Sequence, residues 1–138
     1  MMRRGLREVA LLAVIAALPA SVSAVVQLKW RPPAPLAEGE VSAATARLWG
    51  EKVLWVDARA RAKWERKKIG GAVLLNAEEW DTLVPRFLDE WEPEKAIVVY
   101  GDGAQDDAAA GVAHRLKEEL KLDGVWVLQG GWDAWQQR

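Results

Sequence analysis

The stretch GDGAQDD, Gly101 to Asp107, lies between the apolar run AIVVY and the helix-forming sequence AAAGVAHRL. A glycine-rich turn between a buried strand and a helix start is where α/β proteins gather ligands, because backbone N–H groups and the positive helix end converge there. Gly101, Asp102, Gly103, Ala104, Gln105, Asp106 and Asp107 offer carboxylates but no thiol, hydroxyl, imidazole or amine. Together with Asp57, at the end of an earlier apolar run, these carboxylates could present oxygen ligands to Mg²⁺ or Ca²⁺ and support hydrolysis through the bound ion. Asp106 and Asp107 also have a structural reading as helix caps, contributing about 0.5–2 kcal/mol together. Capping is the reading we favour for these two.

Composition narrows the chemistry further. The 138-residue chain has no cysteine and one histidine, His114. Disulfides, thiolate metal sites, cysteine nucleophiles and histidine metal clusters are therefore excluded. Lys and Arg total 19 against 20 Asp and Glu, so charge gives no sign of a nucleic-acid partner. No motif asks for a cofactor. The nine tryptophans fall mostly at strand or helix positions and read as core and rim packing. Trp132 and Trp135, at helical spacing, read as core.

The elements that must position these residues follow from hydrophobic pattern. KVLWVDA, AIVVY and GVWVL are continuous apolar runs, as expected of strands buried on both faces, and GGAVLLN is a further strand introduced by two glycines. Between them lie helical segments. Ser42 caps a short helix over Ala43 to Trp49, which Gly50 stops. RARAKWERKK makes one to two turns. AEEWDTLVPRFLDEW has helical spacing, with Pro85 expected to divide it into two pieces. Ala108 to Leu120 is helical, and GGWDAWQQR is a closing turn and short helix. Strands alternating with helices predict an α/β fold, a parallel sheet with helices on both faces. Asp57 to Arg59, Gly101 to Asp107 and Gln129 to Trp132 all follow strands and meet at one end of that sheet.

Ahead of this domain, residues 1–8 form a basic flank with Arg3, Arg4 and Arg7, and residues 9–28, Val9 to Leu28, carry no charge. That length suits a single-pass hydrophobic helix in the inner (cytoplasmic) membrane, and the basic flank places the domain on the outer, periplasmic side. A cleaved signal peptide is the alternative, because Val22-Ser23-Ala24 has a cleavage-site pattern; the product would be secreted or periplasmic. Residues 29–41 form a Pro-rich spacer, and residues 42–138 the folded domain.

VDAR (Val56 to Arg59), KKIGGAVLLN (Lys67 to Asn76) and VWVLQGGWDAW (Val125 to Trp135) resemble the signatures of the rhodanese-like domain family. Lys68 stands where the family has His, and Gly70 where it has Pro. The chain is also similar to membrane-anchored bacterial rhodanese-like proteins whose loop reads YC-D-G-x-x-C. The resemblance implies a nucleophilic cysteine at position 101 that carries sulfur as a persulfide, cradled by loop N–H groups. This sequence has Gly101 there, and Asp106 at the subgroup's second cysteine.

The resemblance therefore implies the scaffold without the nucleophile, a non-catalytic module that binds or regulates a protein partner outside the cytoplasm. Two alternatives stay open: a divalent-cation pocket, and an accessory role in sulfur or redox chemistry through a partner's cysteine. Asp57, Arg59, Gly130, Gly131 and Trp132 form the expected pocket rim. Asp57 fixes the loops at the strand ends, Arg59 is expected in a surface salt bridge, and Gly130 and Gly131 serve a tight turn.

Overall fold

The computed structural model describes residues 35–137, so the hydrophobic segment Val9 to Leu28 lies outside the described residues. Among the described residues five strands form one all-parallel sheet: β1 (Glu40–Val41), β2 (Val53–Asp57), β3 (Val73–Leu74), β4 (Ala96–Tyr100) and β5 (Val125–Leu128). Their order across the sheet is β1-β5-β4-β2-β3. The centre is β2 paired along its whole length with β4, from Val53 opposite Ala96 to Asp57 opposite Tyr100. Both strands are buried on both faces, which is why their sequences are solidly apolar rather than alternating. This register brings Asp57 and Tyr100 side by side where the strands end. The strand read from GGAVLLN is only two residues long in the ladder, and the sheet also takes in Glu40–Val41 at the end of the spacer.

Among the described residues four α-helices connect the strands, α1 (Ala43–Trp49), α2 (Arg61–Arg66), α3 (Trp80–Glu90) and α4 (Ala108–Glu118), and a fifth, α5 (Gly131–Gln136), follows β5. Ser42 caps α1, its hydroxyl accepting from the Thr45 N–H at 3.1 Å. Two apolar clusters cover opposite faces of the sheet. One packs Leu83 and Phe87 of α3 and Val112 and Leu116 of α4 against Val56, Ile97 and Val99. The other packs Ala46 of α1 with Trp132 and Trp135 of α5 against Trp55, Val98 and Tyr100. Side chains along each central strand alternate between the two clusters, so neither face of the sheet is left wet.

Pro85 does not divide α3, contrary to expectation: the helix runs unbroken from Trp80 to Glu90. The reason lies in its facing. Trp80, Leu83 and Phe87 point into the core, while Pro85 is exposed on the opposite side. The carbonyl left without an N–H partner one turn back is on the side that water reaches, and packing of the apolar stripe holds the rest. α4 also ends at Glu118, two residues before the expected Leu120. Replacing Pro85 with Ala should raise stability by about 2 kcal/mol, the helix-interior cost of proline less its restriction of the unfolded chain. Urea denaturation should show a higher midpoint at unchanged m; a lower midpoint would mean that the ring is needed in place.

Candidate functional site

The sheet end beyond β2, β4 and β5 is built on one buried ion pair. Asp57 is wholly buried and Arg59 only 4 % exposed. The expected surface salt bridge of Arg59 is thus corrected to an interior one. The guanidinium Nη2 donates to Asp57 Oδ2 at 2.7 Å, Nε donates to both carboxylate oxygens, and the Arg59 backbone N–H donates to Oδ1 at 2.9 Å. The Tyr100 hydroxyl donates to Asp57 Oδ2 at 2.9 Å and accepts from the Ile69 N–H. The guanidinium also lies over the Trp132 ring, 4.5 Å from its centroid, and that ring stacks on Tyr100.

Charge follows from this packing. Burial opposes the Arg59 charge, but the Asp57 hydrogen bonds and charge outweigh it and hold the guanidinium above its ordinary pKa. Burial and the neighbouring Asp57 push the Tyr100 phenol well above its ordinary value, so the hydroxyl stays a donor.

The loop after β4 is closed on itself. Asp106 turns back so that Oδ2 accepts from the Asp102 N–H and Oδ1 from the Ala108 N–H, each at 2.9 Å. These two N–H bonds, ahead of an opposing contribution from burial, hold its carboxyl below the usual aspartate value. A side chain at position 101 would project onto this carboxylate: its Cβ would stand 2.7 Å from Asp106 Oδ2 and 3.1 Å from Cγ. Asp106 therefore occupies the space and takes up the donors that a residue-101 side chain would use.

Asp106 is the capping residue in fact. Asp107 holds the N-cap position of α4 but makes no side-chain cap bond. Ala104 and Gln105 are the exposed tip. Asp102 pairs with Lys63 of α2 at 2.8 Å, on the surface. The four aspartates are thus not gathered: Asp57 is sealed with Arg59, and Asp102 and Asp106 each have other partners. Among the described residues no group of three or more His, Asp or Glu is placed to hold a metal ion.

The start of α5 clamps the loop from the other side. The Trp132 N–H donates to the Gly101 carbonyl at 2.8 Å and the Asp133 N–H to the Asp102 carbonyl at 3.0 Å. Gly131 has φ +56°, and a Cβ there would come within 2.6 Å of the Gly101 oxygen. No other residue fits that contact, and Gly130 beside it, at φ +75°, makes the turn. Trp132 is half-buried, so it is a wall of the site as much as core. Sequence reasoning did not identify Tyr100, Lys63 or Asp133 as site residues. Only Tyr100 carried a signal, as a polar-tipped residue ending an otherwise apolar strand, as Asp57 does in β2.

Because the Asp106 carboxyl is depressed in the folded state, its contribution is complete above the ordinary aspartate pKa of about 3.9 and is lost as pH falls through the lower folded value. Asp106→Asn should be less stable than the parent at neutral pH, by about 1–2 kcal/mol for a lost charged cap. The two denaturation midpoints should converge in acid. A gap that persists at the lowest accessible pH would show that charge on Asp106 is not what the loop uses.

A family model described as a rhodanese-like domain matches residues 40–138. No curated protein matches the chain. Among solved structures, a Bacillus halodurans protein is 18% identical, with 88% of this chain and 81% of that one covered and a TM-score of 0.60. The rhodanese-like domain of an Anabaena protein is 28% identical, covering 72% of this chain and 74% of that one at a TM-score of 0.56. A rhodanese-related protein of Thermoplasma volcanium is 17% identical, with 70% and 88% covered and a TM-score of 0.55.

Proposed function

The chain belongs to the rhodanese-like domain family, and from that premise we propose that it is a non-catalytic member, an exported binding or regulatory module. One observation carries the reading. The Asp106 carboxylate sits 2.7 Å from where the Cβ of residue 101 would be, already accepting the Asp102 and Ala108 N–H groups at the place where the family's sulfur anion would sit. The chain has no cysteine to hold sulfur, and an anionic donor such as thiosulfate would approach a loop carrying Asp102, Asp106 and Asp107. The scaffold around the loop is maintained by buried polar contacts, which supports a role that needs its shape rather than its chemistry.

Export is the second part of the proposal, and it rests on the uncharged run Val9 to Leu28 behind Arg3, Arg4 and Arg7. The protein should sediment with membranes, its C-terminal domain cut by protease added to spheroplasts. A soluble product beginning at Val25 would establish the cleaved-signal alternative instead.

The non-catalytic reading is tested by sulfur transfer from thiosulfate to cyanide, with no thiocyanate expected above a blank. Gly101→Cys alone should not restore activity, because the new side chain meets the Asp106 carboxylate and competes with it for the same N–H groups. Its thiol should titrate near or above the free value of about 8.5, and Gly101→Cys with Asp106→Ala well below that. Iodoacetamide alkylation rates against pH compare the two. Turnover by the unmodified chain, or by the single variant with a thiol pKa below neutrality, would overturn the reading.

A further inference from the structure

Beside the site, α1, α5 and the segment joining α2 to β3 enclose a cleft of about 830 Å³, within the size range of ligand pockets. Arg47, Lys67 and Lys68 line it with Trp132 and Trp135, and no acidic residue does. In a chain of net charge −1 this is a local excess of three positive charges. We propose that the cleft docks an acidic segment of a partner polypeptide. The proposal rests on the reading of the domain as a binding module and gives that partner a chemistry.

Charge pairing in the neighbouring segment supports it. Six of the ten residues from Arg59 to Lys68 are basic. Arg59 is neutralised by Asp57, Arg61 by Glu79 and Lys63 by Asp102. Arg66, Lys67 and Lys68 enter no ion pair among the described residues, and neither does Arg47. Arg59, Arg61 and Lys63 are thus matched, while the three cations that line the cleft, Arg47, Lys67 and Lys68, are not.

Arg47 is also held in place. Its guanidinium lies 4.1 Å from the centroid of the Trp135 ring, a wall of the cleft, and donates to the Trp135 carbonyl. Lys68 is shared with a neighbouring groove, where its Nζ lies 3.8 Å from the centroid of Trp64. A ring face orients a cation without cancelling its charge, so an incoming carboxylate finds in Arg47 a donor that has already lost part of its freedom. The backbone of the wall is fixed as well, since Arg59 Nη2 donates to the Lys67 carbonyl at 2.6 Å.

Trp132 and Trp135 supply apolar walls for a side chain lying between the carboxylates, in the manner of aromatic anchors at protein interfaces. Concavity favours a polypeptide over a lipid surface, because a flat bilayer would reach the rim and leave the tryptophan walls uncovered.

The experiment titrates the full-length chain into a fluorescent peptide that alternates glutamate with leucine, followed by anisotropy. Controls are the same peptide with glutamine for glutamate, and vesicles containing anionic phospholipid. Saturable binding is expected that weakens with salt, is at least about tenfold weaker for the glutamine peptide, and is lost to the same extent in Lys67→Glu with Lys68→Glu. Arg47→Met, which keeps the stacking contact and removes the charge, should weaken it in the same direction. No saturable binding, equal binding of the glutamine peptide, or indifference to the lysine changes would overturn the proposal. So would vesicles that bind more tightly than the peptide through the same lysines, which would assign the cleft to a membrane surface. Failure here leaves the sulfur-transfer result untouched, and sulfur transfer by the unmodified chain would sink the non-catalytic reading without altering the titration.

Discussion

Asp57 ends a strand that is buried along its whole length, and its carboxylate would be costly there without a counterion. Arg59, two residues on, folds back and supplies it. An ion pair this deep is a poor source of net stability, because desolvating both charges consumes most of the attraction. Its effect is on geometry. Each oxygen of Asp57 is committed to named donors, Arg59 is pinned between that carboxylate and the Lys67 carbonyl, and Tyr100 is drawn in from the neighbouring strand. Losing one partner would leave the other charged and buried, at about 3–5 kcal/mol. The pair therefore forces the ends of β2 and β4, the turn before β3 and the start of α5 into one arrangement.

The loop after β4 inherits that rigidity and uses it in an unexpected way. Strand end and helix start present N–H groups to a common point, a geometry suited to an anion. Here the anion belongs to the loop itself. Asp106 satisfies the donors from inside, α5 holds the outer carbonyls, and Gly131 permits the two to approach.

The sheet was legible because its central strands are continuous apolar runs separated by helical spacing, and Ser42 announced its helix through a cap motif that depends on neighbours only. What escaped depended on facing and on distant partners. Pro85 breaks a helix only if the freed carbonyl is denied water, and no local sequence reveals which side faces out. Arg59 read as a surface residue because arginine is seldom buried; its burial depends on Tyr100, forty-one positions later, closing over the pair. Asp106 was recognised as a cap from its residue type, yet its position against Gly101 depends on how the loop curls. The cationic cleft was illegible for a related reason, since Arg47 and Lys67 come from separate segments and which lysines lack partners is known only once the pairs have formed.

The outermost strands of the sheet, Glu40–Val41 and Val73–Leu74, are two residues long each. A parallel sheet with long bare margins offers rows of unpaired N–H and C=O groups on which another chain can template itself. Margins this short give such a chain almost no register to grip. The sheet of the described residues therefore gives a neighbouring chain little backbone on which to add a strand.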